Sequence, residues 1–123
     1  MTQSVFIPTV FPSANDVLRI HPQVYSRMKR DFGMLARVAI RRARLRKMVW
    51  ADITFVWHER PAQKNKQRDP DNIRFGAKFC LDALVAEGIL EDDSFQFILG
   101  LSDRFIPASQ TPGVVIELDG ECA

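Results

Sequence analysis

The stretch Val49-Trp50-Ala51-Asp52-Ile53-Thr54-Phe55-Val56-Trp57-His58 decides how this chain folds. Val49, Ala51, Ile53, Phe55 and Trp57 recur at every second position. Successive side chains of a strand point to opposite faces, so these five predict a half-buried strand over 49–58. An apolar sheet face has to be covered by a second layer. The flanking sequence should therefore supply both further strands and the helices that lie on them.

The layer on the N-terminal side is a helix from about Pro22 to Arg46. His21-Pro22 marks its start, because proline at the first helical position gives up an N–H that would be unpaired anyway. Val24, Met28, Phe32, Leu35 and Ala39 follow at spacings of three and four, which predicts one apolar stripe. Before this helix, residues 4–11 read as a strand ended or interrupted by Pro8, followed by turn signals at 12–16. After the 49–58 strand, residues 59–68 have no apolar periodicity and read as a basic loop. Ile73 to Glu87 predicts a second helix, with Asn72 or Asp71 at its N-cap and Gly88 just beyond its end. Its core stripe is Ile73, Ala77, Cys80, Leu81 and Leu84. Phe75 and Phe79 lie on another side, to be covered by the long helix or by a second copy. Phe95, Phe97, Leu99 and Leu101 mark a further strand, and Val114, Ile116 and Leu118 a last one.

These elements predict one α+β domain over 1–123, a two-layer sandwich with a mixed sheet of about four to five strands and two main helices. No run of about 18 apolar residues predicts a membrane span. Met1-Thr2-Gln3-Ser4 lacks the charged start and apolar centre of a secretory leader. Cys80 and Cys122 form no disulfide framework, so a reducing cytoplasm is the expected compartment. Two His and two distant Cys do not complete a structural zinc site without carboxylates.

Charge is unevenly distributed. The net charge is only +2, yet nine Lys/Arg and a single acid, Asp31, lie between Arg27 and Lys47. Four more basic residues and no acid follow from Arg60 to Arg68, and carboxylates then gather from Asp69 to Asp103. Such segregation points to a polyanionic partner. Arg27, Arg30, Arg37, Arg41 and Arg44 share one side of the long helix, as either a solvated face or a phosphate-contacting one. Lys64, Lys66 and Arg68, with Asn72, complete the residues expected to contact DNA.

The carboxylates occupy the two ends of the second helix. Pro70 disfavours a helical conformation at Asp69. If Asp69-Pro70-Asp71 is extended, both carboxylates point to one side. Glu91-Asp92-Asp93 arrives about five residues after Gly88. Convergent carboxylates in a basic protein suggest Mg²⁺ held against a phosphodiester, because Mg²⁺ takes oxygen ligands at about 2.1 Å and keeps some of its waters. Helix capping for Asp69 and Asp71, and a solvated turn for Glu91 to Asp93, are the plain structural alternatives. No glycine-rich phosphate loop is present, which argues against phosphatases and nucleotide hydrolases.

The run Arg68-Asp69-Pro70-Asp71-Asn72, then Lys78-x-x-x-Asp82-Ala83-Leu84, then Gly88-Ile89-Leu90-Glu91-Asp92-Asp93 resembles the signature of the RusA family of Holliday-junction resolvases. The resemblance covers residues 68–94. It implies a Mg²⁺-dependent endodeoxyribonuclease, with Mn²⁺ as a substitute, that acts as a homodimer and resolves four-way DNA junctions by paired symmetric nicks. It implies Asp69, Asp71 and Asp93 as catalytic metal ligands, with Asp92 able to exchange roles with Asp93, and Lys78 as the required lysine. Lys78 lies about one helical turn further from the D-x-D-N element than in the best-known member. The alternatives are a non-catalytic basic DNA-binding protein and a nuclease of the same family that prefers other branched DNA.

Overall fold

The computed structural model describes residues 1–62 and 67–123. Four strands, β1 (Thr2–Ile7), β2 (Met48–His58), β3 (Ile98–Ile106) and β4 (Gly113–Cys122), form one sheet in the order β1-β4-β2-β3. β2 runs antiparallel to β4 and parallel to β3, and β1 closes the other side antiparallel to β4, so the sheet is mixed. The helices are α1 (Ala14–Leu18), α2 (Pro22–Ala43), α3 (Pro70–Arg74) and α4 (Ala77–Ala86). The architecture is α+β, with helices over one apolar sheet face.

Ala51, Ile53, Phe55 and Trp57 are buried as their alternation predicts. Val49 is not: it is 48% exposed, and Met48 takes the inner place at 1%. The reason is a register shift against β4 between Met48 and Trp50, which reverses the facing of the strand's first residues. β3 departs from expectation in the same way. Its pairing with β2 jumps from Ala51↔Ile98 to Asp52↔Gly100, which leaves Leu99 unmatched and 59% exposed. Phe95 and Phe97 precede the strand, and Phe95 is 89% exposed. By contrast Val114, Ile116 and Leu118 of β4 are wholly buried, and Val5 and Ile7 of β1 join them. β1 stops before Pro8. Phe11, expected in the strand, leaves the sheet and stacks on Phe79 with ring centroids 5.5 Å apart.

α2 begins as expected at Pro22, with His21 Nδ1 accepting a hydrogen bond from the Gln23 N–H. It ends at Ala43, because Arg44 turns left-handed at φ 52°. Its buried residues are Ala36 and Ile40, with Phe32 and Ala39 packed beside them, while Val24 and Leu35 are exposed. The helix is thus rotated from the expected stripe by somewhat less than the ~100° that one residue spans. That rotation turns Arg37 and Arg41 towards α4, where both bind Glu87 at 2.8 Å.

The expected single helix over 73–87 is divided into α3 and α4 around Phe75 and Gly76. A Cβ on Gly76 would lie 2.8 Å from Phe11 Cβ and 3.1 Å from Trp57 Cζ3, so the chain passes here closer than a side chain allows. The displaced Lys78 spacing falls on this break. Phe79 is 3% exposed among Phe11, Phe32 and Phe75, so the expected second covered side is satisfied within the chain. Gly88 follows α4 at φ +77°, the left-handed geometry that glycine adopts without penalty. No helix among the described residues is long and apolar enough to cross a membrane.

Candidate functional site

The segment entering the acidic motif is fixed by a salt bridge. Glu59 follows β2 and is held by its backbone, its N–H donating to Ile106 O and its carbonyl accepting from Ser109 N–H. Arg68 grips its carboxylate with two bonds, Nε to Oε1 at 2.8 Å and Nη2 to Oε2 at 2.7 Å, and Nη1 donates to Phe11 O at 2.8 Å. The Glu59 side chain is only 9% exposed. A two-pronged guanidinium–carboxylate pair is geometrically specific, so Asp69 leaves this point in a set direction.

Asp69 is the N-cap of α3 (φ −74°, ψ 150°) and Pro70 its first helical residue. The N-cap therefore falls two to three residues earlier than at Asp71 or Asn72. Asp69 is extended, but Asp71 lies inside the first turn, so the pair does not share the strand-like geometry that would align two carboxylates. Neither makes a side-chain cap bond across the N-terminus: the N-cap carboxylate of Asp69 has none. Asn72 is half-buried beside them.

The other end of the motif converges better. Lys78 and Asp82 are four apart on α4, hence on one helix face. They line a cavity of about 330 Å³ together with Arg74, Phe75, Leu81 and Asp93. A neighbouring cavity of about 370 Å³ is bounded by Asp82, Val85, Asp92 and Asp93. Asp92 Oδ1 accepts the Asp93 N–H at 2.9 Å, which shapes the turn and fixes the pair's order. The structure thus brings Lys78 and Asp93 of the expected site to one cavity and Asp92 and Asp93 to the next, and Asp69 and Asp71 line neither. Among the described residues no three His, Cys, Asp or Glu side chains gather closely enough to hold one metal ion. Asp82 and Asp93 do flank both cavities, and Mg²⁺ is commonly held by one or two carboxylates with substrate phosphate and water completing its shell. The two carboxylates at these cavities are donors of the kind that Mg²⁺ takes.

Arg74 is the cation that sequence reasoning missed. Its Nε bonds Asp103 Oδ2 at 2.5 Å, and Asp103 Oδ1 accepts from Trp57 Nε1 at 2.8 Å. The Asp103 side chain is 14% exposed and belongs to β3, 29 residues away, so no local spacing signals the contact. Asp82 was visible in the motif, one turn from Lys78, without an assigned part.

The basic residues fare unequally. Arg37 and Arg41 are paired with Glu87, whose carboxyl is pushed down to about 2, first by the hydrogen bond from Arg41 and then by that from Arg37. Arg30 lies 3.3 Å from Asp31. Arg68 is used by Glu59. Arg27 and Arg44 are exposed and make no ion pair among the described residues. Lys64 and Lys66 lie outside the described residues. His58 Nδ1 meets Ser109 Oγ at 3.0 Å and His21 caps α2, both structural positions. A larger opening of about 530 Å³ sits against Phe11, Met28 and Phe32. Its acids are Asp16 and Glu59; Asp16 caps α1 and Glu59 is taken by Arg68, so it offers less chemistry than the Lys78–Asp93 cavity. No family model matches the chain, and no curated protein matches it.

Proposed function

We propose that this protein is a Mg²⁺-dependent endodeoxyribonuclease that cuts four-way DNA junctions in pairs of symmetric nicks. The observation that carries the reading is the cavity lined by Lys78, Asp82 and Asp93, all within the junction-resolvase-like motif. A magnesium ion held there would supply Lewis-acid chemistry at the scissile phosphate. Asp93 and Asp82 would hold the ion, and the resemblance assigns Asp69 and Asp71 as further ligands. Lys78 would add positive charge beside the phosphate oxygens where negative charge develops, an electrostatic role.

Two related cuts call for two related sites, which a two-fold homodimer provides. β3 is an edge strand, and Phe95, Leu99 and Leu101 are exposed around it, which supports that edge as the contact between copies. The exposed Arg27 and Arg44 supply positive charge for phosphates without reading sequence. A cytoplasmic location accords with the free Cys80 and Cys122.

One observation favours a second reading, a basic DNA-binding protein without catalysis. Asp69 and Asp71 stand at the N-cap and in the first turn of α3, where carboxylates complement the positive helix end without any metal. Cleavage of a labelled four-way junction, against a linear duplex, in Mg²⁺ and in EDTA, separates the two. Symmetric nicks on the junction, lost in EDTA and in Asp71→Asn whose binding persists, support the nuclease. Binding without cleavage in Mg²⁺ or Mn²⁺ supports the second reading.

A further inference from the structure

We infer that Arg74, anchored by Asp103, is a phosphate-contacting residue of the Lys78–Asp93 cavity, binding one DNA phosphate per protomer. The inference rests on the nuclease reading and gives it a second cation. Arg74 closes α3 just before the Gly76 break, and it and Lys78 line the same cavity. Only its Nε is engaged: among the described residues neither Nη group has a hydrogen-bond partner, and the side chain is 43% exposed.

Two features set this pair apart from a plain structural salt bridge. Asp103 already has a partner in the Trp57 indole N–H, so its burial is partly satisfied without Arg74. The anchor also grips the guanidinium at one edge, which leaves the Nη edge free to form the two-pronged contact that suits phosphate. The same cavity then holds two cations, Arg74 and Lys78, and two carboxylates, Asp82 and Asp93. A phosphodiester with a divalent cation presents the matching charges. An anion alone would meet repulsion from the acids, and a metal alone repulsion from the cations.

The test is the salt dependence of four-way junction binding in Mg²⁺, measured in the Asp71→Asn background so that nothing is cut. Each neutralised phosphate contributes about 0.9 to the slope of log K against log salt. Arg74→Gln should lower the slope by about 0.9 per protomer, and Arg74→Lys should leave it nearly unchanged. The double variant Arg74→Gln/Asp103→Asn leaves no unpaired buried carboxylate and keeps the net charge of the chain. It serves if the single variant does not fold, and it separates a local contact from a change in overall charge. A lowered slope in the double variant is the expected result. An unchanged slope in the folded double variant overturns the inference while leaving the nuclease reading intact. Absence of salt-dependent DNA binding by the Asp71→Asn protein itself overturns both.

Discussion

Replacing Arg68 by alanine removes the partner of a carboxylate that is 9% exposed and leaves Phe11 O without its donor. Breaking a buried pair from one side costs about 3–5 kcal/mol, because an uncompensated charge stays behind. Arg68 is itself 28% exposed, so water screens the pair in part, and the lower end, about 3 kcal/mol, applies. Unfolding entropy of about 2.1 cal/mol/K per residue gives about 260 cal/mol/K for a chain of this size, so Tm should fall by about 12 °C. Thermal unfolding followed by circular dichroism measures it. The double variant Glu59→Gln/Arg68→Met should recover a good part of the loss, since it removes both charges. A fall below about 4 °C for Arg68→Ala, equivalent to roughly 1 kcal/mol, would refute the claim that this pair fastens the entry to α3.

Gly76→Ala should cost about 1–3 kcal/mol in urea unfolding, because its Cβ meets Phe11 and Trp57 at 2.8 and 3.1 Å. Gly33→Ala, with nothing within 4 Å and a mid-helix place, should instead stabilise by about 0.5–1 kcal/mol. Arg44→Gly should stabilise by up to about 1 kcal/mol, since glycine removes the Cβ conflict at φ 52°. Its effect on the slope of DNA binding against salt would show whether Arg44 meets a phosphate. Glu87 has a folded-state pKa below its unfolded value of about 4.5, so its ion pairs stabilise the fold above that pH and lose their effect as pH falls towards about 2. Urea midpoints between pH 6 and pH 2.5 should therefore fall more steeply for wild type than for Glu87→Gln.

The sequence made the sheet's core legible where side-chain period and strand geometry agree. Residues 51–57 and 114–118 alternate without interruption, and their inner faces are fully covered. It misled where one extra residue reverses the facing, at Val49 and Leu99, because a bulge leaves no mark on apolar periodicity. The helix break at Gly76 falls where the chain passes close to Phe11 and Trp57, which are remote in sequence, so no local signal marks it. The arginines of α2 share one side in the sequence but part in the structure: Arg37 and Arg41 pair with Glu87, which lies 50 residues from Arg37, and Arg44 lies beyond the helix end. At the candidate site the motif located Lys78 and Asp93, whose meeting depends on α4 and the turn after it. Asp69 and Asp71 were aligned by an extended-chain argument that Pro70 does not enforce, since it begins a helix at the next position.

The most direct measurement is single-turnover cleavage of a four-way junction by Asp93→Asn, set beside its junction affinity in EDTA. If the cavity around Lys78 is the centre of cleavage, the rate in Mg²⁺ falls by about 10²-fold or more, corresponding to ~3 kcal/mol of lost transition-state stabilisation, while affinity changes little. Wild-type cleavage rates in a folded Asp93→Asn variant would contradict the account and move the chemistry elsewhere in the protein.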